Sequence, residues 1–435
     1  MLTVDCARSL DQLAGERDQL DAINRESRLP DLFSTFDFYQ VYFHHDEYYR
    51  HGVETELWFL TVREEGRIIG YLPLRKVRER VLGLPSTRVE FFATHDNDRP
   101  HLVSRPADEE RCRDAVLGWL REHRREWSFL ELKQQPADSI LCQREAFSGR
   151  RYHLRTFPNL ENGTIHIRWN SLRDWYRTLS HKMRNNIGRQ FRVLNSLGHV
   201  EHLASSDPVA TPLLFEMFLG IEPRSWKAGA GATLARSPRR LEFFRRLFDP
   251  RAPWRMRVDL VLLDGIPIAG VIGAAFEKRF YAIHIAFDDA YAKAGPGGAV
   301  LMLALRHAIE ARHLCFNMLS GFSYYKTRWQ AEVTPTHSFQ VCKVGSARFV
   351  RAMLGELRRA IFPRPPESAD HNPARRESSA AALQIPVEER ARIAAAVAEL
   401  ARLGVVAEGP QALARSLPFG VKREQPDREE LAATP

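Results

Sequence analysis

"LWFLTVREEGRIIGYLPLR" (57–75) and "VDLVLLDGIPIAGVIGAAF" (258–276) are two writings of one object. In each, an apolar run meets a short polar turn ending in glycine, and a second apolar run comes after it. That is the pattern of a β-hairpin, with Glu65-Gly66 and Asp264-Gly265 at the turns. The segments downstream of the two hairpins match as well. "RVEFFAT" (88–94) and "RFYAIHIAF" (279–287) read as strands. "DEERCRDAVLGWLREH" (108–123) and "GGAVLMLALRHAIEAR" (297–312) read as helices, and "SFLELKQ" (128–134) and "LCFNMLS" (314–320) as one more strand each. Hairpin, strand, helix, strand in the same order twice predicts two copies of one α/β unit, over 1–155 and 165–350.

Outside the copies the signals are simpler. Residues 171–198 read as a single basic helix carrying Lys182, Arg184, Arg189 and Arg192, stopped by Gly198. From 364 to 435 the chain reads as a proline- and serine-rich flexible linker and then an amphipathic helix, with Ile393, Val397 and Leu400 on one face. The 435 residues suffice for two cores. Lys+Arg exceed Asp+Glu by 63 to 54, a net +9 that suits an anionic ligand, but the charges are too scattered to single out nucleic acid. Five cysteines, none close to another in sequence, give neither a disulfide framework nor a metal-ligand pattern, so no metal is expected and a reducing cytoplasm fits. No apolar run approaches the ~20 residues of a membrane span.

The second copy holds a feature that the first lacks. After the strand at 279–287, Gly295-Pro296-Gly297-Gly298 lead into a helix. Glycines let a phosphate approach the backbone, and a helix N-terminus offers free N–H groups and a favourable dipole. The loop therefore suits the pyrophosphate of a nucleotide-like cofactor, while the matching segment 95–110 has no glycine. Strict alternation along 279–287 would set Tyr281, Ile283, Ile285 and Phe287 on one face and Ala282, His284 and Ala286 on the other. Glu222, Ser225, Trp226 and Lys227 lie together in a further segment, before a glycine-rich stretch.

Four segments in order, "LSHKMRNNIGRQFRVLNSLG" (179–198), "EPRSWK" (222–227), "DDAYAKAGPGGAVLMLAL" (288–305) and "SGFSYYKTRW" (320–329), resemble the CelD/BcsL-like acetyltransferases of the GNAT superfamily, relatives of the FemAB-type transferases. The resemblance implies an α/β (α+β) fold of tandem GNAT-like domains with mixed, splayed sheets, the first copy degenerate. It implies an acyl-CoA-dependent N- or O-acyltransferase, with acetyl-CoA or another acyl-CoA bound at Ala294, Gly295, Gly297 and Gly298, and a small-molecule or saccharide acceptor in polysaccharide or cell-envelope biosynthesis. By position, Lys326 would steady developing negative charge, Tyr325 would donate a proton, and His284 or Glu222 would be the base. Trp226, Lys227 and Trp329 would bind the acceptor. Relatives carry an acidic residue near Asn317 that this sequence lacks. A FemAB-like transferase with aminoacyl-tRNA as donor, and an inactive GNAT-like binding module, are the alternatives.

Overall fold

Both predicted hairpins form, for the same local reason. Glu65 and Gly66 (φ 50° and 81°) and Asp264 and Gly265 (φ 50° and 75°) all take left-handed conformations. Such turns match the twist of the strands that they join. The computed structural model describes residues 2–50, 52–142, 147, 149–321, 324–361, 385–410 and 413. The first half runs β1 (Leu2–Ala7), α1 (Arg17–Glu26), α2 (Phe36–Tyr42), β2 (Glu54–Glu64), β3 (Arg67–Val81), β4 (Leu84–Phe91), β5 (Val103–Ser104), α3 (Glu109–Glu122), β6 (Phe129–Pro136) and β7 (Tyr152–Pro158).

The second half opens with β8 (Asn162–His166), α4 (Leu172–Thr178), α5 (His181–Leu197), β9 (Val200–Ser205), α6 (Ala210–Leu219), α7 (Trp226–Ala230) and α8 (Pro238–Arg246). It continues with β10 (Arg255–Leu263), β11 (Ile266–Phe276), β12 (Arg279–Phe287), α9 (Pro296–Glu310), β13 (Cys315–Ser320), α10 (Tyr324–Arg328) and β14 (Glu332–Thr334). It ends with β15 (Thr336–Lys343), α11 (Ala347–Ile361) and α12 (Val387–Arg402).

The duplication is visible in the pairing. In both copies the hairpin's second strand pairs antiparallel with the next strand, which pairs parallel with the strand after the helix. The parallel contact is brief: Arg88–Glu90 beside Phe129–Glu131, and Arg279–Tyr281 beside Cys315–Asn317. Beyond it the strands part, so both sheets are mixed and splayed. The first sheet runs β1-β2-β3-β4-β6-β15-β7, with β5 on β3; the second runs β14-β8-β13-β12-β11-β10-β9.

Three details depart from the sequence reading. The unit 165–350 does not keep its own last strand: β15 pairs with β6 and β7 of the first sheet. Alternating apolar residues specify a strand but not which sheet will receive it. The basic helix of 171–198 is two helices, because Leu179 is extended and the Ser180 hydroxyl accepts from the Met183 amide (3.3 Å) to cap α5. Strict alternation in β12 fails at Ile283, where a bulge shifts the register against β11. Tyr281, Ile283 and Ala286 therefore face one core, and Phe280, Ala282, Ile285 and Phe287 the other.

Those two cores cover opposite faces of the second sheet. α4, α5 and α9 pack on one; α6, α8 and α12 pack on the other, joined by Leu32, Phe33 and Phe38 from the first half. The expected C-terminal helix thus docks on the body, with Ile393 and Leu400 buried. Beyond it, Glu408 bridges backbone to backbone with His202 at the edge of β9. The linker expected from 364 onward lies, through 384, outside the described residues. No described helix is long and apolar enough to cross a membrane.

Candidate active site

The splay between β12 and β13 is where the chain turns into α9. Asp288 starts the turn: its Oδ1 accepts from the Ala290 amide (3.0 Å) and its Oδ2 from Arg224 Nε (2.8 Å). Gly295 then takes a left-handed conformation (φ 66°), and the Ala299 amide donates to its carbonyl (3.1 Å). Pro296 has no N–H. Among the described residues no acceptor meets the amides of Gly297 and Gly298. Glycine is needed here for close packing. A Cβ on Gly295 would lie 2.5 Å from the Gln190 side chain, and one on Gly297 would lie 2.7 Å from the Phe287 ring. Gly298 is different: it is exposed, and the nearest atom to its Cβ position is on Trp329 at 4.0 Å, an ordinary contact distance, so a side chain can be placed here. Ala294 is buried beneath the loop. Exposed Arg189 and Arg192 on α5 flank Gln190, and Lys293 lies on the loop itself. Free amides at the positive end of a fifteen-residue helix, beside cations, fit a diphosphate.

The segment "EPRSWK" is clamped to this loop. Arg224 binds Asp288 and donates to the carbonyls of Gly220 (2.8 Å) and Pro267 (2.7 Å). The clamp brings three sequence candidates together. Glu222 Oε1 lies 2.7 Å from His284 Nε2, and Lys227 Nζ lies 2.8 Å from Nε2 and 3.2 Å from Nδ1. Glu222 Oε2 accepts from the Leu234 amide (2.7 Å), which fixes the carboxylate. All three side chains are buried, and the His284 ring lies against those of Phe218 and Phe244. Burial, reinforced by the charge of Lys227, pulls the His284 imidazole down to about 4. Burial also brings the Lys227 ammonium down to about 8, against the pull of Glu222. Trp226 is 42% exposed beside them.

The stretch 320–329 contributes differently than its resemblance implies. β13 breaks after Asn317: Leu319 is left-handed (φ 57°) and the pairing register with β8 shifts. Lys326 Nζ donates to the carbonyls that this break frees, those of Met318 (2.9 Å), Leu319 (2.9 Å) and Ser320 (3.4 Å). Its three protons are thereby spoken for, so it closes the end of a strand instead of facing an oxyanion. Trp329 is buried against Trp175 (5.3 Å between rings) and belongs to the core under the glycine loop, not to an acceptor wall. The backbone of Tyr325 lies on α10; its side chain lies outside the described residues.

The carboxylate missing near Asn317 comes from the other copy. Asp98, in the first half's loop after β4, accepts from Asn162 Nδ2 and from Asn317 Nδ2 (3.0 Å), and its charge reaches Lys326. The same loop sends Asp96 to Arg240 on α8, in a two-pronged pair of 2.8 and 3.1 Å. The sequence signal was the acid-rich "HDNDRP" (95–100), which stands where the second copy has its glycines.

Residues 181–327 match the family model described as the acetyltransferase (GNAT) domain. Over that stretch the chain is similar to the GNAT acetyltransferases. The chain is also similar to solved structures over much of its length. FemX has 11% identity, with 74% of this chain and 95% of that one covered, and a TM-score of 0.50. A conserved protein of unknown function from Bacteroides thetaiotaomicron has 13% identity, covers 78% and 100%, and has a TM-score of 0.46. A tandem GNAT protein from the clavulanic acid biosynthesis pathway has 14% identity, covers 80% and 99%, and has a TM-score of 0.44. No curated protein matches the sequence.

Proposed function

We propose that the chain transfers an acyl group from acyl-CoA, with acetyl-CoA the first choice, to an amine or hydroxyl acceptor. The observation that carries this reading is the pair of unmet amides at Gly297 and Gly298, clipped through Arg224 and Asp288 to the segment that bears Glu222 and Lys227. The diphosphate would rest on those amides, with Lys293, Arg189 and Arg192 adding positive charge. When bound, acyl-CoA supplies an activated carbonyl. Lys227 handles the acceptor's proton. A base works best with a pKa near the operating pH, which favours an amine near 8 over an imidazole near 4. With Nε2–H given to Glu222, neutral His284 lies against Lys227, whose Nζ is within 3.2 Å of both ring nitrogens, and holds the amine in place. Trp226 walls the acceptor side, and Tyr325 on α10 is the candidate donor to the departing thiolate. The likeness to CelD/BcsL-like proteins supports a saccharide or cell-envelope acceptor. Free Cys6, Cys112, Cys315 and Cys342 suit a cytoplasmic location.

The exposed basic face of α5 keeps an aminoacyl-tRNA donor as the second reading. Calorimetric titration separates the two. Acetyl-CoA should bind the wild-type chain and bind Gly298→Leu about tenfold more weakly or worse. Gly298 is exposed and a Cβ there makes only ordinary contact with Trp329, so the fold survives while the phosphate seat is filled. Equal affinities would overturn the loop assignment, and binding of tRNA with none of acetyl-CoA would replace this reading with the second.

A further inference from the structure

Helix α11 is turned inside out. Val350, Met353, Leu354 and Leu357 recur at helical spacing on one face, and they are 42%, 40%, 53% and 57% exposed. An apolar stripe of this kind ordinarily packs inward. Here the charged side packs inward instead. Arg348 hydrogen-bonds Glu79 of β3 and lies over the Phe129 ring (5.0 Å). Glu356, the acidic residue of the helix, is held against the sheet by Arg155 Nε (3.2 Å) and His153 Nε2 (3.5 Å). Exposed Arg351 and Arg358 run along the rim of the stripe, and among the described residues neither has an acidic partner. The helix has sorted its charges: the acid inward, the free cations outward beside the apolar residues.

A second feature adjoins the first. Glu79, the anchor of Arg348, lies three residues before the tip of the β3–β4 hairpin. That tip exposes Leu82 and Leu84, each 58%, next to exposed Arg80. Two neighbouring elements thus offer the same composition, exposed leucines edged by arginine.

We propose that α11 and the β3–β4 tip form a docking face for an anionic membrane surface. A helix whose apolar side is bordered by arginine sits in the interface of a bilayer. Its apolar residues enter the boundary of the acyl chains, and its guanidinium groups reach the phosphates. A second copy of this chain would need its own matching acids at the rim, and α11 turns its acid the other way. The net charge of +9 favours the same anionic partner. Although α11 follows the second copy in sequence, it packs on the first sheet, against β3, β4 and β15.

Co-sedimentation of the full chain with vesicles tests the assignment. It should pellet with phosphatidylcholine–phosphatidylglycerol vesicles and stay in solution with phosphatidylcholine alone, and added salt should release it. The exposed positions allow two folded variants, M353S/L354S/L357S and R351E/R358E, with folding checked by unchanged circular-dichroism melting. Each should lose binding about fivefold or more. Failure to pellet with anionic vesicles overturns the proposal, as does retained binding by either variant. A concentration-dependent dimer that the triple serine variant abolishes would assign the face to a second copy instead.

Discussion

At the residue scale the site is a question of protonation. The identities of Glu222, Lys227 and His284 were legible as candidates, and the five-residue spacing of the first two was visible in the sequence. Their meeting was not, because β12 brings in His284 from 57 residues beyond Lys227, and burial rather than spacing sets the proton affinities. His284 titrates near 4 in the folded chain against an ordinary 6.5, so between these values the unfolded chain binds more protons and acidification favours unfolding. Stability should fall by up to about 3 kcal/mol as pH drops through this window, and His284→Gln should flatten the fall, as read by urea denaturation at a series of pH values. Lys227, near 8 against 10.5, loses its proton early. Turnover should therefore climb through a limb near pH 8 that Lys227→Met removes. A profile without that limb in the wild-type chain would take the proton-handling role from Lys227.

At the element scale, turn chemistry was readable and register was not. Glycine after an acidic residue marks both hairpins, and the glycine loop marks the start of α9. The bulge at Ile283 and the break after Asn317 leave no comparable mark, because each depends on what the neighbouring strand offers. Lys326 shows the cost of that gap. The resemblance makes it a stabiliser of developing negative charge beside a tyrosine; in the fold it answers three carbonyls that have left the sheet. Buried carbonyls stripped of their donor are expensive, so Lys326→Met should cost about 2–4 kcal/mol of stability. A turnover loss in a chain of unchanged melting temperature would instead restore the catalytic role that the resemblance implies.

At the scale of the whole molecule, duplication was legible and the lock between the copies was not. Two units of the same order can sit side by side in many ways, and nothing in "THSFQVCK" (336–343) says that it will close the other unit's sheet. The acids of "HDNDRP" read as a degenerate loop, yet they work as a plug: Asp98 enters the second copy's β8–β13 edge and Asp96 meets Arg240. Asp96 is buried, which by itself raises a carboxyl's pKa, but hydrogen bonding to His45 and the charge of Arg240 hold it well below the usual carboxylate range. A pair this sheltered behaves differently from an exposed one. Removing either partner alone leaves a charge that water cannot reach, so Arg240→Ala and Asp96→Ala should each cost about 3 kcal/mol or more, and the double variant far less than their sum. The pair joins the first copy's loop to α8 of the second, so the loss should appear in both halves at once, as one cooperative transition moved to lower urea. A coupling below about 0.5 kcal/mol, the range of an exposed ion pair, would mean that this pair does not help to hold the copies together.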